Sequence, residues 1–144
     1  MKSVFLFTYG LLTNRSHIGY DVKFVGIGVL NNHTFELLTH ANVMEYSTDI
    51  VHGLVWEITP EKLAYTDIIE AYPFYYDRVI EPITMSNGDI IECYVYKMTD
   101  ESRERSLNCI PSYSYLDSLV EGYNELIPTE QLKKAMENAY KRII

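Results

Sequence analysis

Two apolar segments joined by an Asn-Gly pair constrain the fold more than any other feature of the chain. The segments "RVIEPITM" (78–85) and "DIIECYVYKM" (89–98) flank Ser86-Asn87-Gly88-Asp89. Asn and Gly tolerate the positive φ angles that tight hairpin turns require, so we predict an antiparallel β-hairpin here. Pro82 cannot donate a backbone hydrogen bond, which places its strand at a sheet edge or at a bulge.

Four further segments have the composition of strands. "SVFLFT" (3–8) is apolar on both faces, which favours a central strand. "VKFVGIGVL" (22–30) and "HTFELLTH" (33–40) flank Asn31-Asn32, which we interpret as a second hairpin turn because Asn tolerates positive φ. "IVHGLVWEI" (50–58) is the next predicted strand.

One helix is predicted between the strands. Thr59 can cap it, Pro60 fits its first position, and "EKLAYTDIIEAY" (61–72) follows, ended by Pro73. At helical spacing, one face of this amphipathic segment carries Ala64, Tyr65, Ile68, Ile69 and Tyr72.

The C-terminal segment, about 112–143, is predicted to form two amphipathic helices. Gly122 is expected to end the first helix, and Pro128-Thr129 to begin the second. Strands joined by hairpins, with helices kept apart from them, define the α+β class and favour a curled or barrel-like sheet. With 144 residues, 47% of them hydrophobic, residues 1–144 are expected to form a single domain.

The charge balance excludes several classes of partner. Twelve Lys and Arg against 20 Asp and Glu give a net charge of −8, which disfavours nucleic acid in the absence of a basic patch. No apolar run approaches the roughly 18 residues of a membrane span, so we expect a cytoplasmic protein with no membrane partner. Cys93 and Cys109 lack CxxC or metal-ligand spacing, which favours two reduced thiols and no metal.

The loop after the first strand is the first candidate binding site. In Tyr9-Gly10-Leu11-Leu12, Gly10 lets the backbone turn sharply and approach a ligand, so that the following amides can donate. The alternative is an ordinary strand exit whose leucines fold back into the core.

Glu70 is the second candidate, because Ile69, Tyr72, Phe74, Tyr75 and Tyr76 surround it in sequence. Partial desolvation by these neighbours would raise its pKa toward that of a working general base. The alternative is a helix-terminal Glu whose carboxylate reaches water.

Five segments in order resemble the γ-glutamylcyclotransferase-like family, which includes the γ-glutamylamine cyclotransferases and the AIG2-like proteins. They are "LFTYGLL", "HGLVWEIT", "YTDIIEAYPFYYDRV", "NGDIIECYVYKMT" and "PSYSYLDSLVEGYNELIPTEQLKKAMENA". The resemblance runs from about residue 4 to about residue 140, and the order and spacing of the segments make it specific.

The resemblance implies a small mixed β-barrel of about six strands, with helices around it and a pocket at one end. It also implies that the loop from Tyr9 to Leu12 binds a γ-glutamyl group through its amides and that Glu70 is the catalytic acid/base. Tyr76 and Tyr115 match family tyrosines near the pocket, and on that ground we expect them to position substrate. The expected partner is a small molecule, with no metal or cofactor, and the chain is expected to be a monomer or homodimer.

Two departures from the family pattern leave an alternative open. Leu11 stands where the family has Ser or Thr, and Ala71 where it has Gly. Despite these departures, the resemblance predicts an enzyme that releases 5-oxoproline from a small γ-glutamyl amine or peptide. The alternative is a non-catalytic member of the fold that binds or sequesters a small metabolite or a nucleotide-like ligand.

Overall fold

Five strands form a closed barrel in the computed structural model of the protein, which describes residues 2–144. In chain order they are β1 (Val4–Thr8), β2 (Lys23–Leu37), β3 (Ala41–Ile58), β4 (Tyr76–Met85) and β5 (Ile90–Met98). Around the barrel the order is β1-β3-β2-β4-β5, and only the contact between β1 and β5 is parallel. The predicted α+β class and mixed barrel are therefore confirmed, with five strands.

Strand β1 lies between β3 and β5, as its two apolar faces predict. Leu6 pairs with Trp56 on one side and with Tyr94 on the other, and it is fully buried. Since both edges and both faces of β1 are covered, the loop that follows it is anchored in the barrel.

The hairpin between β4 and β5 is confirmed. Gly88 has a φ of 92°, and the antiparallel register runs from Tyr76↔Met98 to Thr84↔Ile90. Pro82 pairs only with β5, because the contact of β4 with β2 begins at Ile83. The absence of a backbone N–H at Pro82 therefore removes no backbone hydrogen bond between β4 and β2.

The predicted hairpin turn at Asn31-Asn32 is wrong. Strand β2 continues through both residues, and Asn32, with a φ of 60°, lies at an irregularity in the register with β3. The positive φ that Asn tolerates is used in a bulge rather than in a turn. The chain reverses at residues 38–40 instead, where the Leu38 amide donates to the His40 carbonyl at 3.0 Å.

In residues 2–144 five α-helices pack around the barrel: α1 (Arg15–Ile18), α2 (Pro60–Ile69), α3 (Asp100–Ser106), α4 (Tyr113–Tyr123) and α5 (Glu130–Ile143). Helix α2 is capped by the Thr59 side chain, which accepts from the Lys62 amide, as predicted. It ends at Ile69, three residues before the predicted end. None of the helices in residues 2–144 is long and apolar enough to span a membrane.

The buried face of α2 differs from the predicted one. Leu63 and Thr66 are buried, whereas Tyr65 and Ile68 are largely exposed. Thr66 is tolerated in the core because its hydroxyl bonds the Leu63 carbonyl at 2.9 Å and the Tyr96 hydroxyl at 2.8 Å. The helix therefore turns its polar Thr66 side toward the barrel.

Gly122 does not end α4, contrary to the prediction. The helix continues to Tyr123 and ends at Asn124, which has a left-handed φ of 44°. A Cβ at Gly122 would lie 2.2 Å from Thr13 Oγ1 and 2.9 Å from the Asn14 nitrogen. The glycine is needed for close packing against the loop after β1, and α4 thereby supports that loop.

Candidate active site

One cavity of about 260 Å³ opens where β1 ends. It is close to the lower end of the size range of small-molecule sites. Its lining comprises Phe7, Thr8, Tyr9, Gly10, Leu11, Leu12, His40, Ala41, Ile69, Glu70, Ala71, Tyr75, Tyr76, Tyr96 and Tyr115. All seven residues predicted from the sequence are therefore brought together in one place.

The loop from Tyr9 to Leu12 enters a short 3₁₀ turn, Leu11–Thr13. The turn is closed by the Thr13 amide and hydroxyl, which donate to the Gly10 carbonyl at 3.0 and 2.7 Å. Within residues 2–144, the amides of Gly10, Leu11 and Leu12 have no acceptor. These groups are potential donors to a ligand.

The two leucines of the loop have different surroundings. Leu12 is 2% exposed and belongs to the hydrophobic core, as the alternative interpretation of this loop expected. Leu11 is partly exposed and lines the cavity. Gly10 allows close approach, since a Cβ there would lie 3.0 Å from Ala41 Cβ.

Glu70 is the residue immediately after α2. Its amide donates to the Thr66 carbonyl at 2.9 Å, which fixes the backbone, while its side chain lines the cavity. Burial raises the pKa of Glu70 to about 7. In the described chain no side chain or backbone group forms a hydrogen bond or ion pair with its carboxylate. Glu70 is therefore a carboxyl that can gain or lose a proton near neutral pH.

The carboxylate of Asp67, three residues earlier, has both a charged and a hydrogen-bonding partner, unlike that of Glu70. It forms an ion pair with Arg78 from β4, and its Oδ1 accepts from the Tyr96 hydroxyl of β5 at 2.7 Å. The Arg78 guanidinium also stacks on Tyr72 and Tyr94, with 4.6 and 4.9 Å to the ring centroids. Asp67 thus anchors the end of α2 to the barrel and holds Glu70 at the cavity.

The cavity tyrosines are arranged around the backbone of Ala41. The Tyr76 hydroxyl donates to the Ala41 carbonyl at 2.5 Å, and the Ala41 amide donates to the Tyr115 hydroxyl oxygen at 2.9 Å. Burial raises the pKa of both tyrosines, so both stay protonated at neutral pH. Tyr115 accepts in this bond, so its own proton remains available to a ligand.

Tyr9 closes the inner end of the cavity. Its hydroxyl donates to the Tyr96 carbonyl at 2.5 Å, and its carbonyl accepts from the Tyr123 hydroxyl of α4 at 2.7 Å. Burial raises the pKa of Tyr9 well above its ordinary value. Tyr9 therefore contributes an aromatic surface with an occupied hydroxyl.

Sequence reasoning missed several lining residues, among them His40, Ala41 and Tyr96, and it named Tyr75 only as a neighbour of Glu70. His40 Nδ1 lies 2.8 Å from the Tyr75 hydroxyl, and burial lowers the pKa of His40, which leaves it neutral at pH 7. His40 and Ala41 reach the cavity because the chain reverses at residues 38–40, which the sequence did not indicate. Within residues 2–144 no cluster of three or more His, Cys, Asp and Glu side chains is suited to a metal.

One cavity at the end of the closed barrel holds both a carboxyl whose pKa lies near neutrality and backbone amides without acceptors. These features are those of a small-molecule site that can carry out acid–base chemistry. The family model "Gamma-glutamyl cyclotransferase, AIG2-like" matches residues 6–117. Because this match covers most of the chain, the protein belongs to that family.

Sequence and structure relatives are consistent with this assignment. A Drosophila melanogaster protein provisionally named a gamma-glutamylcyclotransferase is 39% identical over 46 residues, which is 32% of this chain and 29% of that protein's length. A solved gamma-glutamyl cyclotransferase superposes with a TM-score of 0.77 and 21% identity, covering 94% of this chain and 87% of the other.

Two further solved structures share the fold. A yeast gamma-glutamyl cyclotransferase specific to glutathione has a TM-score of 0.66 at 14% identity, over 99% of this chain and 97% of its own. A mouse AIG2-like protein has a TM-score of 0.59 at 21% identity, over 76% and 85% of the two chains. At these identities the structural likeness concerns the fold.

Proposed function

We propose that the protein is a γ-glutamyl cyclotransferase that converts a small γ-glutamyl amine or peptide into 5-oxoproline and a free amine. The observation that carries the proposal is Glu70: a carboxyl with a pKa of about 7 and no protein partner, on the same cavity as the loop amides. A carboxyl whose pKa lies near the working pH is suited to take up and return a proton.

The reaction begins with the substrate held in a curled conformation. The Glu70 carboxylate accepts a proton from the α-ammonium group, and the amine that results attacks the γ-carbonyl carbon of the same molecule. Ring closure is intramolecular, so holding the two reacting atoms close removes much of the entropic barrier. The Tyr115 hydroxyl and the loop amides donate to the α-carboxylate or to the oxygen that becomes negative.

Glu70 also completes the reaction. The new bond joins the α-nitrogen to the γ-carbon, and the bond from the γ-carbon to the leaving nitrogen breaks. The leaving nitrogen takes the proton that Glu70 received at the start. Glu70 then takes the second proton, which the attacking nitrogen loses as the lactam forms, and passes it to the departing amine, which leaves as an ammonium ion. Glu70 thereby returns to its carboxylate form. The sum of the two products equals the substrate, and no water or cofactor is consumed.

The departures at Leu11 and Ala71 favour one alternative, a non-catalytic protein that binds a small metabolite in the same cavity. Neither residue supplies a polar side chain to the lining. This alternative requires the same fold and the same ligand-sized cavity, but it requires no proton transfer at Glu70.

A product assay separates the two functions. The protein is incubated at pH 8 with γ-glutamyl amines, γ-glutamyl amino acids and glutathione, and 5-oxoproline is measured by mass spectrometry. A cyclotransferase releases 5-oxoproline in proportion to enzyme and time from at least one compound. If calorimetry detects binding but no compound yields product, the protein is a binder and the proposed activity is wrong.

A further inference from the structure

The residues around the entrance of the cavity favour some leaving groups of the substrate over others. The cavity residues that retain solvent exposure, which we call the rim, are Leu11, His40, Ile69, Glu70, Ala71, Tyr75 and Tyr115. The remaining lining residues are buried and form the floor. A substrate whose reacting atoms lie beside Glu70 must extend its leaving group across this rim.

The rim is mostly apolar, and its free donors, the Leu11 amide and the Tyr115 hydroxyl, are those already assigned to the γ-glutamyl group. Leu11, Ile69 and Ala71 are aliphatic, and the aromatic rings of His40 and Tyr75 pack at 80° with 5.5 Å between centroids. His40 Nδ1 and the Tyr75 hydroxyl are already joined to each other at 2.8 Å, which occupies these two polar atoms.

No positive charge faces the cavity in the described part of the chain. The lining contains neither Lys nor Arg, and His40 is neutral at pH 7 because burial lowers its pKa. Arg78, near α2, is committed to Asp67 and to two aromatic rings. The charge that does lie at the rim is the negative one of Glu70.

We propose, building on the proposed cyclotransferase function, that the rim selects γ-glutamyl compounds whose leaving amine is uncharged and apolar and rejects those with a carboxylate beside the scissile nitrogen. Such a carboxylate would lose water against Leu11 and Ile69 without gaining a cation, and it would be repelled by Glu70. An ion that is desolvated without a partner is strongly disfavoured. Leu11 is the specificity-determining residue, because its side chain belongs to the rim while its backbone belongs to the binding loop.

Three matched compounds test this selection: γ-glutamylalanine, γ-glutamylalaninamide and γ-glutamylisopropylamide. They differ only in whether the group next to the methyl-bearing carbon is a carboxylate, a neutral amide or a second methyl. We expect kcat/KM for 5-oxoproline release to be about tenfold or more higher for the two neutral compounds.

Leu11→Lys places a cation at the rim without changing a buried side chain. It is expected to raise kcat/KM for γ-glutamylalanine relative to the isopropylamide by about fivefold or more, since a nearby opposite charge offsets the desolvation of the carboxylate. Ile90→Lys, at an exposed position on β5 outside the cavity lining, is the control and should leave the ratio unchanged.

The outcomes separate the inference from the activity on which it rests. The inference is overturned if γ-glutamylalanine is as good a substrate as the neutral pair, or if Leu11→Lys and Ile90→Lys give the same ratio. Release of no 5-oxoproline from any of the three compounds overturns this inference, and release of none from the whole product-assay panel overturns the proposed activity as well.

Discussion

Glu70→Gln is expected to lower kcat for 5-oxoproline release by about 10²- to 10⁴-fold, the range that a positioned acid/base contributes. Gln has the size and shape of Glu but cannot accept the ammonium proton or return it to the leaving nitrogen. No protein contact is lost in residues 2–144, because the Glu70 carboxylate has no partner to leave unpaired. KM should therefore change little.

The control for this experiment lies on the same helix. Glu61→Gln removes an exposed carboxylate in the first turn of α2, away from the cavity lining. It should keep nearly the wild-type rate. Equal activity of Glu70→Gln and wild type, with the substrate that works best in the product assay, would remove Glu70 from the mechanism.

The same substitution is expected to stabilise the protein at alkaline pH. Burial raises the pKa of Glu70 from 4.5 to about 7, so the folded chain binds this proton more tightly than the unfolded chain does. The folded state is favoured below pH 4.5, and this advantage is lost as pH rises to 7. Above pH 7 the buried charge costs stability, and Gln carries no charge.

Urea unfolding at pH 4.5 and pH 8 measures this effect. Raising the pKa of Glu70 from 4.5 to about 7 corresponds to an upper limit of about 3.4 kcal/mol, and the partial exposure of Glu70 reduces it to about 1 to 3 kcal/mol. Glu70→Gln should exceed wild type in free energy of unfolding by that amount at pH 8 and by much less at pH 4.5. A gain of equal size at both pH values, or a similar gain in Glu61→Gln, would contradict the assigned pKa.

Local signals in the sequence predicted the parts of the fold that depend on few residues. The Asn87-Gly88 turn forms as expected because its φ requirement is met within the turn itself. Asn31-Asn32 carries a similar signal, but pairing with β3 continues past it, and the positive φ of Asn32 is absorbed in a bulge. The actual reversal, at residues 38–40, includes the fully buried Leu38 and has no turn composition.

The orientation of α2 was set by distant partners rather than by its own apolar pattern. Thr66 and Asp67 face the barrel because Tyr96 and Arg78, from other strands, satisfy their polar groups. That contact turns the apolar Ile68 toward solvent. Periodicity alone cannot reveal such pairs, since they form only in the folded chain.

The site residues that lie within the matched sequence motifs were largely predictable from the sequence. Glu70 and the loop from Tyr9 to Leu12 line one cavity, as the resemblance implied, and burial raises the pKa of Glu70 as its aromatic neighbours suggested. His40 lies outside the matched segments, and it meets Tyr75, which belongs to the segment around Glu70, only in the folded barrel. The sequence therefore indicated Leu11 and Glu70 at the rim but not His40.

The pH dependence of kcat/KM for 5-oxoproline formation, measured from pH 5 to 9 with the best substrate, tests the role of Glu70 most directly. This quantity reports the ionisation of the essential base in the free enzyme. We expect a rate that is highest above pH 7 and falls tenfold per pH unit on the acid side, with an apparent pKa near 7. A rate that stays constant down to pH 5 would contradict Glu70 as the group that takes the proton.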